Sequence, residues 1–453
     1  MLAVARRERR QSRMYLLYSL LTAAAMALLS PYFLVQGLRK KKYLANLRER
    51  FGRVPPEVVA RAAGAPGAIW IHAVSVGEVL AARPLALRLR EKYPQRLILI
   101  STTTATGQEL ARERMKFTDG VFYFPFDWTW CVRRVLGAIR PSVVLILETE
   151  IWPNFLRELR RKNIPAVFVN ARISKKSFGR FRLARPVIGA LYESALGNAR
   201  AFQAQSEEAA ERLRIMGAPE DRIEVTGNLK YDSESPAMGE FGAWLRLQTQ
   251  QQERWPVLVA GSVVADEEEQ VLAAFDIVQR RWHFALLVLA PRKPERFDAA
   301  EEIAARGGWK VVRRSQADSG AALDEAADIV LLDSIGELAG IYSLANAVFI
   351  GGSLVASGGH NILEPAWWKL PPVFGRSMEN FSDMAGQFLQ QSAGVQVSTG
   401  ESLGKAWMGL IEDPALSERM GSAARKLVES NRGATSRSLE RIVAILEEDG
   451  RAR

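Results

Sequence analysis

The chain has 453 residues, with 61 Lys and Arg against 50 Asp and Glu, for a formal charge of +11. Residues 1–53 hold twelve of those cations and two acids, so the remaining 400 residues are close to neutral; this disfavours a nucleic-acid-binding body, which needs a basic stripe on its folded part. A single cysteine, Cys131, excludes an intrachain disulfide and any multi-thiolate metal centre, and the length suggests at least two domains.

In chain order, the first predicted element is an uncharged run of 23 residues from Met14 to Gln36. As a helix it covers about 34 Å, enough to cross a hydrocarbon core, with Pro31 expected to kink it or end it early. Arginines precede it and Arg39-Lys40-Lys41-Lys42 follows, which suits anionic headgroups. We read residues 1–53 as a membrane anchor with a basic collar. The rivals are a cleaved signal peptide, with Ala23-Ala24-Ala25 as its processing zone, and a buried core helix. Whether the anchor spans the bilayer or enters one leaflet is open at this stage.

From Ala68 onward, strand and helix signals alternate. Apolar runs at Ala68–Val74, Leu97–Ser101, Val143–Leu147, Ala166–Asn170 and Ala201–Gln205 alternate with amphipathic stretches at Gly77–Lys92, Thr106–Met115, Trp152–Lys162 and Ser206–Met216. The pattern weakens between Tyr231 and Trp255, then restarts at Pro256–Ala260, Ala285–Ala290, Asp328–Leu332, Ala347–Ile350 and Pro372–Phe374. Such alternation predicts parallel sheets with helices on both faces. The expected layout is a first α/β domain over 54–232, a linker over 233–255 and a second α/β domain over 256–453. The amphipathic stretch Arg437–Glu447 fits either half.

Ligands in open α/β sheets bind beyond the carboxyl ends of the strands, and the unusual residues fall there. Glu78 stands on the first turn after the first strand, where a helix-start acid is also favoured by the dipole alone. Glu148 and Glu150 follow the fully apolar Val143–Leu147 run, ahead of Trp152-Pro153. A carboxylate there suits a base or a group that orients one. Arg172, Lys175 and Lys176 follow the next strand and suit either a solvated basic face or an anionic ligand, and Lys230 adds a cation after Gly227-Asn228. The second half carries Gly261-Ser262, Pro291-Arg292, Ile335-Gly336-Glu337, Gly351-Gly352-Ser353 and Asn361-Ile362-Leu363-Glu364. Glycine loops that open helices offer N–H groups to phosphate. There is no Walker loop, dinucleotide fingerprint or nucleophile elbow. His72 and His360 read as packing or capping residues.

On His72–Glu78, Glu148–Asn154, Asn170–Ser174, Gly227–Asp232, Ile335–Leu338 and Gly351–Pro365, in this order and spacing, the chain resembles the bacterial 3-deoxy-D-manno-octulosonic acid (Kdo) transferases of lipopolysaccharide synthesis, specific for lipid IVA. The resemblance covers nearly the whole length. It implies a GT-B fold, two Rossmann-like domains facing a cleft, with the acceptor on the first domain and CMP-Kdo on the second. It implies an inverting transfer without metal or cofactor, on the cytoplasmic face of the inner membrane. Glu78 matches the family's general base, and Glu148 and Lys230 match positions that stabilise the transition state. Ser262, Pro291, Arg292, Ile335, Gly336, Glu337, Asn361, Ile362, Leu363 and Glu364 fall on the donor segments. Arg172, Lys175 and Lys176 are inferred to meet acceptor phosphates. The segment after Ser262 departs from the family pattern by lacking its Thr-His pair, and Lys293 stands where histidine is frequent. The rivals are a GT-B transferase using a UDP- or GDP-sugar, a GT-B-like epimerase, and a membrane-tethered protein that binds without catalysis.

Overall fold

The computed structural model describes residues 2–39, 46–233, 235–317 and 322–451, with side chains described from Gln11 to Ser30 within the first segment and to Glu448 at the other end. The basic residues Lys40–Lys42 of the expected collar lie outside the described residues. Two compact units emerge, Met1–Ser233 with Arg432–Arg453, and Glu234–Asn431.

The first unit holds strands β1 (Ala68–His72), β2 (Ile98–Thr102), β3 (Gly120–Tyr123), β4 (Pro141–Leu147), β5 (Ala166–Ala171), β6 (Ala201–Ala204) and β7 (Ile223–Val225). All pair in parallel, in the order β3-β2-β1-β4-β5-β6-β7. Every residue of β1, β2, β4, β5 and β6 is buried, as strands covered by helices on both faces must be. Chain order reverses between β1 and β4, which makes their carboxyl ends the topological switch point.

The second unit repeats the plan with β8 (Val257–Val263), β9 (Leu286–Pro291), β10 (Val311–Arg313), β11 (Ile329–Leu331), β12 (Ala347–Ile350), β13 (Pro372–Phe374) and β14 (Val395–Gln396). Their order is β10-β11-β9-β8-β12-β13-β14, again parallel, with the switch point between β8 and β12.

Three features differ from the sequence expectation. Pro31 does not end the first helix, which runs Leu2–Arg39. The expected linker, 233–255, contains a helix, Glu240–Gln251, that belongs to the second unit. Phe241 and Leu245 of this helix are buried, and Gln248 Oε1 accepts the Leu323 N–H at 2.8 Å. The helix Ala434–Arg451 packs in the first unit, whereas the expected second domain ran to 453. Its Ile442, Ile445 and Leu446 share a core with Val79, Ala82, Leu85, Ala86 and Leu89 of the helix Val76–Lys92, and Asp232 accepts the N–H of Gly433 at 2.7 Å near its start.

Candidate active site

The first switch point gathers the carboxylates. Ser75 caps the helix Val76–Lys92, and Glu78 lies on its first turn. Glu78 Oε2 accepts the Val74 N–H at 2.7 Å and Oε1 accepts the Ser75 hydroxyl at 2.9 Å. Glu78 is therefore a capping acid, as position alone suggests. Its environment is not that of an ordinary cap, however. Only 7% of the residue is exposed. Burial first, and then the charges of Glu148 and Glu150, push its carboxyl up to about 8 against the lowering effect of both hydrogen bonds.

Glu148 follows β4 in a left-handed conformation, φ 53°, which turns the chain sharply at the strand end. Its carboxylate lies 3.4 Å from Lys230 Nζ, and both side chains are about four-fifths buried. Asn170, fully buried at the end of β5, accepts the Leu229 N–H at 3.0 Å, and Asn228 accepts the Lys230 N–H at 3.0 Å. These two asparagines fix the turn that carries the lysine. Glu150 is raised to about 7 by burial and by Glu148. The structure thus joins Glu78, Glu148 and Lys230 in one cluster, with Glu150 as a fourth member.

His72 sits as a packed, buried ring. Burial holds it down at about 3, its Nδ1 lies 2.9 Å from the Ser101 hydroxyl, and its ring stacks on Phe124. Arg172 is half-buried after β5, and Lys175 and Lys176 stand exposed on the first turn of the helix Lys175–Leu196, capped by Ser174.

The Glu78 shift has a sign that can be tested. The folded carboxyl titrates near 8 and the unfolded one near 4.3, so the folded state holds an extra proton between those values. Its stabilising contribution is complete below the unfolded value and is lost as pH rises through 8. Glu78→Gln is expected to raise stability at pH 9 by at most about 5 kcal/mol, read as a higher melting temperature, with the gain vanishing at pH 4. Equal shifts at the two pH values would contradict the assigned environment.

In the second unit the chosen residues collect at the ends of adjacent strands. Ser262 lies in β8 with φ 57°. Arg292 follows β9, and its N–H reaches Val263 O at 2.8 Å. Its guanidinium charge acts on both His360 and Glu364. Burial, then Arg292, lowers His360 to about 4, while burial raises Glu364. Asn361 Nδ2 donates to Glu364 Oε1 at 3.1 Å. Pro291, Ile362 and Leu363 are buried. Glu337 is held by Arg314 through two hydrogen bonds of 2.8 and 3.0 Å, while Ile335 is exposed and Gly336 turns the chain with φ 97°.

Sequence reasoning passed over Glu267. Fully buried, it accepts the N–H groups of Val264 (3.1 Å), Gly352 (2.6 Å), Ser353 (2.8 Å) and Leu354 (2.8 Å), and so shapes the glycine loop after β12. The signal available was an acid just ahead of a helix start, inside the run Asp266–Glu269. Among the described residues, no group of three or more His, Cys, Asp or Glu is placed to hold a metal ion.

Two Rossmann-like units, each built on a seven-stranded parallel sheet, define a GT-B-type α/β protein. The fold is shared with UDP-GlcNAc 2-epimerase from Neisseria meningitidis bound to UDP-GlcNAc, at 14% identity over 84% of this chain and 99% of that one, TM-score 0.54. Residues 45–233 match the family described as 3-deoxy-D-manno-octulosonic-acid transferase (kdotransferase). The 3-deoxy-D-manno-octulosonic acid transferase of Haemophilus influenzae is 32% identical, over 91% of this chain and 94% of its own length. The C-terminal CMP-Kdo binding domain of WaaA from Acinetobacter baumannii is 30% identical, over 42% of this chain and 97% of that domain, TM-score 0.39. The chain belongs to the Kdo transferase family and is a glycosyltransferase.

Proposed function

We propose that this chain transfers Kdo from CMP-Kdo to the lipid A precursor lipid IVA, with inversion, at the cytoplasmic face of the inner membrane. The observation that carries the reading is Glu78, a desolvated carboxyl raised to about 8 at the switch point of the first sheet, beside the Glu148–Lys230 pair. A base with its pKa near the working pH combines a usable ionised fraction with real proton affinity.

In a single displacement the acceptor hydroxyl oxygen bonds to the anomeric carbon of Kdo from the face opposite CMP. The bond from that carbon to the phosphate oxygen breaks, CMP leaves with the electron pair, and the hydroxyl proton passes to Glu78. Lys230, held by Glu148, supplies positive charge to the developing transition state. Arg292 and the backbone N–H groups near Gly336 and Gly352 suit the donor's phosphate, and Asn361 and Glu364 suit its polar groups. Arg172, Lys175 and Lys176 suit anionic acceptor groups.

The test is direct. Purified protein with CMP-Kdo and lipid IVA should release CMP and give an acceptor heavier by Kdo in mass spectrometry. Turnover of a UDP-sugar without CMP release would overturn the proposal.

A further inference from the structure

The apolar part of the first helix, Gln11–Ser30, has the length and composition to cross a bilayer, and little of it is buried. It is nonetheless not a free-standing helix. One stripe at steps of three and four residues is fastened to the folded first unit. Arg157 donates to the Ser12 hydroxyl at 3.3 Å and lies over the Tyr15 ring at 4.6 Å. The Tyr15 hydroxyl meets Ser194 and Asn198, both at 3.2 Å. Tyr18 hydrogen-bonds Asp127, which also accepts the N–H groups of Asn154 and Phe155 at the start of the helix Pro153–Arg161. The Asn154 amide donates to Ser19 at 3.0 Å, and the Trp128 indole donates to Thr22 at 3.3 Å. Away from the seam, Leu17, Leu21 and Leu28 are 57–81% exposed.

This seam limits how the helix can meet a membrane. The surface that holds Ser12–Thr22 carries Asp127, Asn154 and Arg157, groups too costly to place in hydrocarbon. Beyond Thr22 only sixteen uncharged residues remain before Arg39, Ala23 to Leu38. As a helix they cover about 24 Å, short of the roughly 30 Å of a hydrocarbon core. The adjoining surface is interfacial in character. The helix Lys175–Leu196, which holds Tyr15 through Ser194, exposes Leu183 (87%) and Val187 (86%) one turn apart among exposed Lys175, Lys176, Arg180, Arg182 and Arg185. Apolar side chains set among cations are what a helix lying in the headgroup layer of an anionic bilayer presents.

We propose that the amino-terminal helix enters one leaflet only, held edgewise by the first unit, and that the helix Lys175–Leu196 is the second contact of the same unit with a bilayer of anionic phospholipid. The inference rests on the reading of the first helix as lipid-embedded, and goes beyond it by fixing the side on which the amino terminus lies.

Single-cysteine labelling tests this in a Cys131→Ala background. Ala3→Cys reports the amino terminus and Ser235→Cys the folded body. Full-length protein is added to preformed sealed vesicles of phosphatidylethanolamine and phosphatidylglycerol, floated, and treated from outside with a membrane-impermeant maleimide. The expected result is flotation with equal labelling at both positions. Flotation with Ala3→Cys labelling at least tenfold below Ser235→Cys until detergent is added would show a spanning helix and overturn the proposal. Failure to float would overturn the lipid-embedded reading itself. Leu183→Glu with Val187→Glu should lower the floated fraction several-fold without changing the labelling ratio; an unchanged fraction would remove this helix from the contact.

Discussion

Glu78→Gln should reduce Kdo transfer by about 10²–10⁴-fold while leaving CMP binding to the second unit unchanged. The amide can still accept the Val74 N–H, which the carboxylate now takes at 2.7 Å, so the helix start survives. What is lost is the place for the acceptor's proton. The pH profile carries the same assignment in a form that a purely structural role would not produce. A base must be unprotonated, so kcat/KM of the wild type should rise with pH and level off above about 8. Glu148 contributes to that high value by like-charge repulsion. Glu148→Gln should therefore move the limb to lower pH, even though the plateau falls because Lys230 loses its partner at 3.4 Å. A limb that stays in place in Glu148→Gln, or normal transfer by Glu78→Gln, would remove Glu78 from the role of base.

The second large effect belongs to a residue far from the carboxylate cluster in sequence. Glu267→Ala should destabilise the second unit by about 3–5 kcal/mol, because four buried or part-buried N–H donors lose their acceptor at once. Chemical unfolding reads the loss. CMP affinity should also fall by at least tenfold, since the loop from Gly352 to Leu354 takes its shape from that carboxylate. Glu267→Gln is a sharper version. Its oxygen can serve Ser353 and Leu354, but its NH2 group would face the donors of Val264 and Gly352, so most of the loss should remain. A Glu267→Ala protein with unaltered unfolding would mean that the loop holds itself.

Much of the fold was legible because parallel strands buried on both faces leave continuous apolar runs. Val143–Leu147 and Ala347–Ile350 needed no further signal, and both turned out to be β4 and β12 or their cores. β7, β10 and β14 were not anticipated, and each is two or three residues long and only partly covered. β3 escaped although Val121-Phe122-Tyr123 is apolar, because the strand is only four residues long and half of it is only partly buried. The positions of Glu78, Glu148 and Lys230 followed from the rule that ligands gather at strand ends, and their roles came from the family resemblance. Their proximity was not legible, because it depends on β1 and β4 being neighbours in the sheet although their ends, His72 and Leu147, are 75 positions apart in the chain. The burial of Glu78 was likewise invisible, since position alone marks it only as a helix-start acid, whereas the structure nearly encloses it. Glu267, Asp127 and Gln248 of the Glu240–Gln251 helix share one reason for being missed. Each is a polar residue whose burial makes sense only with backbone partners that the linear sequence does not bring near.

The helix Ala434–Arg451 completes the core of the first unit, so the 198 residues from Glu234 to Asn431 form an insertion within that unit's chain. During synthesis this imposes a delay. At about 5–20 residues per second, the ribosome needs roughly 10–40 s to make the insertion before the closing helix emerges. Through that interval Val79, Ala82 and Leu89 lack one of their core partners. The amino-terminal unit, although begun first, is the later of the two to finish folding.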